Sequence, residues 1–298
     1  MEREIIKNEI QGLPIVVCRE LVDSVNKCLD KAGLYYRSFS RIKSVDSTFN
    51  KITSKNYSEF KKMQDLFGVR VALYFREDIE ICCSIIRNEF EVVDISKDEE
   101  TPDSFKPTRL NYVCKLPGDI INMLSSSLWE LPIDKTFEVK IRTIFSEGWH
   151  EIEHDLRYKN KSEWESHPDL SRNLNGIFAT LETCDWAIGN VFNDLAYRKY
   201  KEMNWEAMLR NQLKIHIDNT PLSEEIRKQL NSNSSLAKEI FRINRKDFLL
   251  KLSDTKLGDL PKSSNNLIFI ANAMYIHDTV LKDLTPPLIL KRIHETLA

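Results

Sequence analysis

The chain has 298 residues, 30% of them charged, and a formal net charge of −2. That length can bury the core of one large domain or two smaller ones. The near-neutral balance excludes a global basic field that would recruit nucleic acid, leaving only local patches. No apolar run reaches the length needed to span a bilayer.

The first residues, Met1-Glu2-Arg3-Glu4, alternate acid and base and carry no apolar leader core. Six cysteines occur, none in a Cys-x-x-Cys pair, and adjacent Cys82 and Cys83 lie in an apolar run. They read as buried, reduced thiols of a cytoplasmic chain that does not enter membranes. Only eight glycines are present, which favours helices over tight turns, and no Gly-rich phosphate loop is seen.

In chain order, residues 14–33 predict a helix, with Val17, Leu21, Val25, Cys28 and Leu29 at helical spacing and Pro14 in the first turn. A mixed region follows. Val69 to Phe75 predicts a strand, 77–90 a helix and Glu91 to Ile95 a second strand. Thr101 to Thr108, with two prolines, predicts a loop. Arg109 to Leu116 then predicts a third strand, Asp119 to Leu128 a helix and Thr136 to Arg142 a fourth strand. Residues 144–158 and 170–203 predict helices, and the remainder is helical, with breaks at Pro221, Asn231 to Ser235, Pro261 to Asn266 and Pro286-Pro287. Interleaved strands and helices up to residue 143 indicate an α/β core. The expected organisation is a helical segment over 1–34, a domain over 35–203 and a helical region over 204–298.

Chemistry concentrates in four places. Alternation in Phe137-Glu138-Val139-Lys140-Ile141-Arg142-Thr143 puts Glu138, Lys140 and Arg142 on one sheet face and the apolar residues on the other. A carboxylate between two cations suits a metal with phosphates, and equally a solvated strand face. Upstream, Arg41, Lys43 and Lys51 fall in one short segment with Ser47, which could cap a following helix. Cations beside helix-start donors can hold a polyphosphate, although a solvated basic turn has the same composition. Asp65-Leu66-Phe67-Gly68-Val69-Arg70 places an acid just before a strand and a cation on it. Last comes Trp149, with Glu153-His154 and Tyr158-Lys159.

In this order and spacing the four pieces resemble the RelA/SpoT-type nucleotide pyrophosphokinase domain, as in small alarmone synthetases and their toxic relatives, over roughly residues 35–160. The resemblance implies an α+β fold, a nucleotidyltransferase-like mixed sheet flanked by helices, here with a helical C-terminal extension. It implies transfer of the β,γ-diphosphate of ATP to a ribose 3′-hydroxyl with Mg²⁺, GDP or GTP being the favoured acceptor and a (p)ppGpp-like alarmone the product. By position, Arg41, Lys43, Ser47 and Lys51 would hold ATP, with Arg70 and Arg142 positioning phosphates or carboxylates. Asp65 would bind the metal. Glu138 would share the metal or take the proton of the attacking hydroxyl. Glu153 and His154 would shape the ATP site from behind.

One stretch departs from the family. Its synthetases carry Gly-Tyr-x-Ser-x-His before the third strand, and here Pro107 falls at the tyrosine and Asn111 at the histidine. Arg109, Asn111 and Tyr112 remain as candidate acceptor contacts. Lys140, where the family often has glutamine, is a second departure. Both keep open a toxin-like pyrophosphorylation of an adenine nucleotide or the 3′ end of tRNA, for which the basic residues Arg198 to Lys214 would offer a surface. Self-association into a homo-oligomer also stays open. A competing motif, His150-Glu151-Ile152-Glu153-His154, matches His-Glu-x-x-His, a zinc-peptidase pattern common by chance in charged helices and lacking a third ligand here. His277-Asp278 has no upstream histidine cluster, so no alarmone hydrolase domain is expected. A catalytically silent module is disfavoured by the presence of Arg41, Lys43, Asp65 and Glu138.

Overall fold

The structure, a computed structural model, describes residues 3–98 and 110–297. The predicted loop over 101–108 and the start of the third predicted strand, Arg109, lie outside them. The chain divides into two compact units, the first comprising Met1–Lys27, Tyr36–Tyr74 and Ile86–Thr183, the second Cys28–Tyr35, Phe75–Ile85 and Cys184–Ala298.

The elements run α1 (Arg3–Gln11), α2 (Ile15–Ala32), β1 (Tyr36–Ile42), α3 (Val45–Ser54), β2 (Phe67–Leu73), α4 (Asp78–Glu89), β3 (Val92–Lys97), β4 (Leu110–Lys115), α5 (Gly118–Asn122), β5 (Thr136–Thr143), α6 (Ile144–Ile152), α7 (Lys161–Trp164) and α8 (Pro168–Lys201). Then come α9 (Trp205–Leu213), α10 (Glu224–Ser232), α11 (Ser234–Phe241), α12 (Arg245–Ser253), α13 (Ser264–Ala271), α14 (Thr279–Leu284) and α15 (Pro287–Leu297).

The first unit is built on a five-stranded mixed sheet of order β1-β2-β5-β4-β3. Its central pair, β2 and β5, is parallel, and the flanking pairs are antiparallel. One face is apolar. Phe67, Val69, Val71 and Leu73 of β2, Phe137, Val139 and Ile141 of β5, and Tyr112 and Cys114 of β4 are all buried there. Phe90 stacks edge-on against Phe137, centroids 5.4 Å apart, closing that face just after α4. The register puts Arg41, Gly68, Glu138 and Val113 in one cross-strand row, and Phe39, Arg70, Lys140 and Asn111 in the next. These rows lie on the polar face.

Three sequence expectations change. β1 was not foreseen as a strand; it pairs with β2 along all seven residues. The helix expected over Asp119 to Leu128 is only the short α5 and a separate 3-10 turn, Ser126–Glu130. Ser125 accepts from the Ser127 amide and starts that turn, so the serine run breaks the helix by offering local caps. The helix expected over 144–158 is α-helical only to Ile152 and continues as a π-helical segment, Glu153–Tyr158. The helix of 170–203 is present as α8.

The second unit is helical. Trp205, Leu209, Ile226, Leu230, Ile240, Phe248, Leu249, Leu267 and Ile268 form its core. Polar residues start its helices: Ser223, Asn233, Asn244 and Ser263 each accept an amide of the first turn, as Asn and Ser N-caps do. Asp278 caps α14 in the same way, a structural use for the residue after His277. The unit also buries charge. Asp78 is 0% exposed and ion-paired with Arg245 at 2.6 Å, and Lys214, 2% exposed, reaches Glu77 at 3.0 Å and Asn193 at 2.7 Å. Burial pushes the Asp78 carboxyl up to about 6 against the pull of Arg245.

Candidate active site

A narrow cleft on the polar face is lined by Arg41, Lys43, Asp65, Gly68, Val69, Arg70, Glu138 and Lys140. Each arrives by a simple local cause. Arg41 is the penultimate residue of β1, and the Lys43 amide donates to the Leu66 carbonyl, which holds the segment beside the start of β2. Ser44, not Ser47, is the N-cap of α3; its hydroxyl accepts from the Ser47 amide at 3.3 Å. Ser47 therefore sits inside the first turn, with its own hydroxyl bonded to Ser44. α3 carries Lys51 in its last turn and so brings it to Asp65.

Asp65 is gripped through one oxygen. Lys51 donates to Oδ2 at 2.6 Å, and Lys43 lies 3.1 Å from the same atom. Its other oxygen, Oδ1, is buried with no partner. Burial by itself would raise this carboxyl, but the bond from Lys51 and the charges of Lys43 and Lys51 outweigh it and hold it below the usual range. Lys43 is shifted down, first by its own burial, with Lys51 and Arg41 adding repulsion against the attraction of Asp65.

Glu138 stands on β5 with both oxygens engaged. Asn111 Nδ2 donates to Oε1 at 2.8 Å, and Lys140 lies 3.4 Å from Oε2. Gly68, opposite both Arg41 and Glu138, leaves the floor open; a Cβ there would find only backbone oxygens at 3.8 and 3.9 Å. Arg70 lines the cleft with its guanidinium held by Glu147 at 3.1 Å and by Glu151. Arg142, one row further, is buried and paired with Glu147 at 2.7 Å. Thr143 ends β5 and caps α6 by accepting from the Ser146 amide, which is why the helix bearing Glu147 and Glu151 starts over this face.

The cleft therefore gathers Arg41, Lys43, Asp65, Arg70 and Glu138, with Lys51 behind Asp65 and Asn111 behind Glu138. Other candidate residues stand elsewhere. Tyr112 is on the opposite, apolar face, where its hydroxyl accepts from Arg87 at 3.3 Å. Arg109 lies outside the described residues. Glu153 accepts from Arg157 at 3.4 Å, and His154 faces Asp155 at 2.9 Å while stacking on Tyr158. Glu147, which ties two arginines at once, and Lys140 were not assigned roles from the sequence. The spacing of Glu147 and Glu151, one helical turn apart, was the available signal.

The donor set does not fit a zinc peptidase. His150 and His154 stack, centroids 6.0 Å apart, and Glu151 is bound to Arg70. Among the described residues no three histidines, cysteines or carboxylates group together as a metal site. Burial, then the charge of Arg142, pushes His150 down to about 4, so it is neutral.

Residues 40–163 match the model of the region found in RelA / SpoT proteins. The GTP pyrophosphokinase YwaC of Bacillus subtilis (strain 168) is 26% identical over 129 residues, covering 40% of this chain and 57% of that protein's length. Among solved structures, the small alarmone synthetase 1 from Bacillus subtilis aligns at 20% identity over 59% of this chain and 93% of that one, with a TM-score of 0.46. A GTP pyrophosphokinase family protein from Streptococcus pneumoniae aligns at 17% identity over 59% and 86%, with a TM-score of 0.45. The chain thus spans somewhat over half the length of its curated relative, and it is over residues 40–163 that it is similar to the RelA/SpoT region.

Proposed function

We propose that this chain is an ATP-dependent nucleotide pyrophosphokinase that moves the β,γ-diphosphate of ATP to a ribose 3′-hydroxyl, with GDP or GTP as acceptor and a (p)ppGpp-like alarmone as product. The observation that carries this reading is the cleft itself. Carboxylates Asp65 and Glu138 open into one depression rimmed by Arg41, Lys43, Arg70 and Lys140.

The cations offset the charge of a triphosphate and fix it in line for attack, which is most of what phosphoryl-type transfer asks of a protein. Glu138 accepts the proton of the 3′-hydroxyl. The 3′-oxygen then bonds to the β-phosphorus of ATP, the bond from that phosphorus to the α,β-bridging oxygen breaks, and AMP leaves. Asn111 fixes one Glu138 oxygen and Lys140 stands beside the other, so the base is oriented before the acceptor arrives. Asp65, with Glu138, would hold Mg²⁺: its Oδ1 is a buried acceptor with no hydrogen bond, as a hard cation's ligand would be. When bound, the metal neutralises phosphate charge and lowers the pKa of the attacking hydroxyl.

The test offers γ-labelled ATP and magnesium with GDP, GTP, ADP and deacylated tRNA as separate acceptors. Label on GDP or GTP is expected. Label only on ADP or tRNA would replace the alarmone reading with the toxin-like one, and label on none would remove the pyrophosphokinase reading.

A further inference from the structure

Glu151, singled out by the His-Glu-x-x-His spacing, has no part in the reaction as described. It follows Glu147 by one turn of α6, and both carboxylates reach the same nitrogen of Arg70, Nη1. The two are held very differently. The Glu147 side chain is 11% exposed, and its second oxygen accepts from Arg142 Nη1 at 2.7 Å, so it bridges two arginines. The Glu151 side chain is 47% exposed, and among the described residues Arg70 is the only partner of its carboxylate. Arg70 lines the cleft, and among the described residues its Nε and Nη2 have no partner.

Charge decides which contact gives way to a ligand. Glu151, Arg70, Glu147 and Arg142 form a chain of two acids and two bases, zero in sum. Without Glu151 the remaining three carry one positive charge, and Glu147 still fixes Arg70 relative to Arg142. Loss of Glu147 would instead strand the buried Arg142, which is costly. Glu151 belongs to an exposed pair, which is weak, whereas a phosphate offers a guanidinium more charge and a two-point fit. Two anions repel, so a phosphate and Glu151 do not share Nη1 with Glu147 already there.

We infer that Glu151 holds the place of a substrate phosphate on Arg70. It leaves when the nucleotide binds, while Glu147 stays and keeps the guanidinium at the cleft. The inference rests on the nucleotide reading above and deepens it: Glu151 is a positioning residue that acts through Arg70 and sets how readily a polyanion enters. The phosphate belongs to the donor or to the acceptor, and the experiment separates the two.

The full chain with magnesium is titrated in a calorimeter with α,β-methylene ATP and, separately, with GDP. Glu151→Gln keeps the size of an exposed side chain and removes the competing charge. It should tighten one nucleotide by about threefold to fivefold, and the nucleotide that gains is the one whose phosphate Arg70 takes. Asp155→Asn removes an acid just after α6 that is paired with Lys159 and not with Arg70, and should change either affinity by less than about twofold. Glu147→Gln leaves Glu151 on Arg70 and should give no gain. An unchanged affinity for both nucleotides in Glu151→Gln, or an equal gain in Asp155→Asn, would overturn the inference. Transfer of label by the wild type with no gain in Glu151→Gln would strike the inference and leave the reaction. The gain without any transfer would strike the reaction and support the inference. Binding of neither nucleotide by any form would overturn both.

Discussion

The cleft of the first unit and the buried charge cluster of the second are made from the same residue types and do different work. In the cluster, Asp78 and Lys214 are sealed, and Arg245 also donates to the Leu213 carbonyl, so charge is matched within the protein. In the cleft, Asp65 and Glu138 are only partly covered and Arg41 is exposed. Ion pairing alone does not mark a functional site, since structural networks also shift pKa values. What separates the two is an opening: Asp65 and Glu138 line a cleft, whereas Asp78 is fully buried. Changes in the cluster should therefore cost stability, and changes in the cleft should cost chemistry.

The largest effect is expected from Glu138→Gln, which removes the proposed proton acceptor but little volume. Transfer should fall by about 100-fold or more, with ATP binding and the unfolding midpoint nearly unchanged; a near wild-type rate would remove Glu138 from the mechanism. Next, Arg245→Ala strips Asp78 of its buried partner and should destabilise the fold by about 3–5 kcal/mol, read from chemical denaturation. A loss below about 1 kcal/mol, the scale of an exposed pair, would mean that the cluster behaves as a surface one. Gly68→Val sharpens the cleft side. Its backbone accepts a Cβ, but the added methyl groups would occupy space between Arg41 and Glu138. ATP affinity should drop by about tenfold, or about 1.4 kcal/mol of binding, while the denaturation midpoint holds.

The remaining effects are in pH dependence, where His150 of the first unit and Asp78 of the second should oppose each other. Folded His150 titrates at about 4 and an unfolded histidine at about 6.5. Between those values the unfolded chain binds a proton that the folded chain refuses, so acidification through this window lowers stability. Asp78 has the reverse sign: folded it titrates at about 6, unfolded near 3.9, so it takes up its proton first in the folded state and acidification raises stability. His150→Gln should lose less thermal stability than the wild type between about pH 6.5 and about pH 4, and Asp78→Asn should lose more. The opposite order in melting curves would contradict both burials.

Much of the fold was legible. Period-two alternation placed Glu138, Lys140 and Arg142 on one face, and helical spacing gave α2 and α8, because both patterns report directly on burial. β1 was hidden because Tyr36-Arg37-Ser38-Phe39-Ser40-Arg41-Ile42 is an edge strand with little buried apolar surface to write an alternation. The site was legible in its residue types and only partly in its geometry. Tyr112 and Asn111 are neighbours in sequence, yet the register with β5 sends Asn111 to Glu138 and Tyr112 into the core. Which carboxylates hold Arg70 and Arg142 depends on where α6 crosses the sheet, and a linear pattern does not carry that.

The central claim is that the diphosphate moves as one unit. Its most direct test is product analysis by mass spectrometry after incubation with ATP, magnesium and GDP, run beside Glu138→Gln. The account predicts AMP and a guanosine nucleotide heavier by two phosphates in equal amounts, both lost in the variant. ADP with free phosphate, or AMP formed with no modified acceptor, would contradict it.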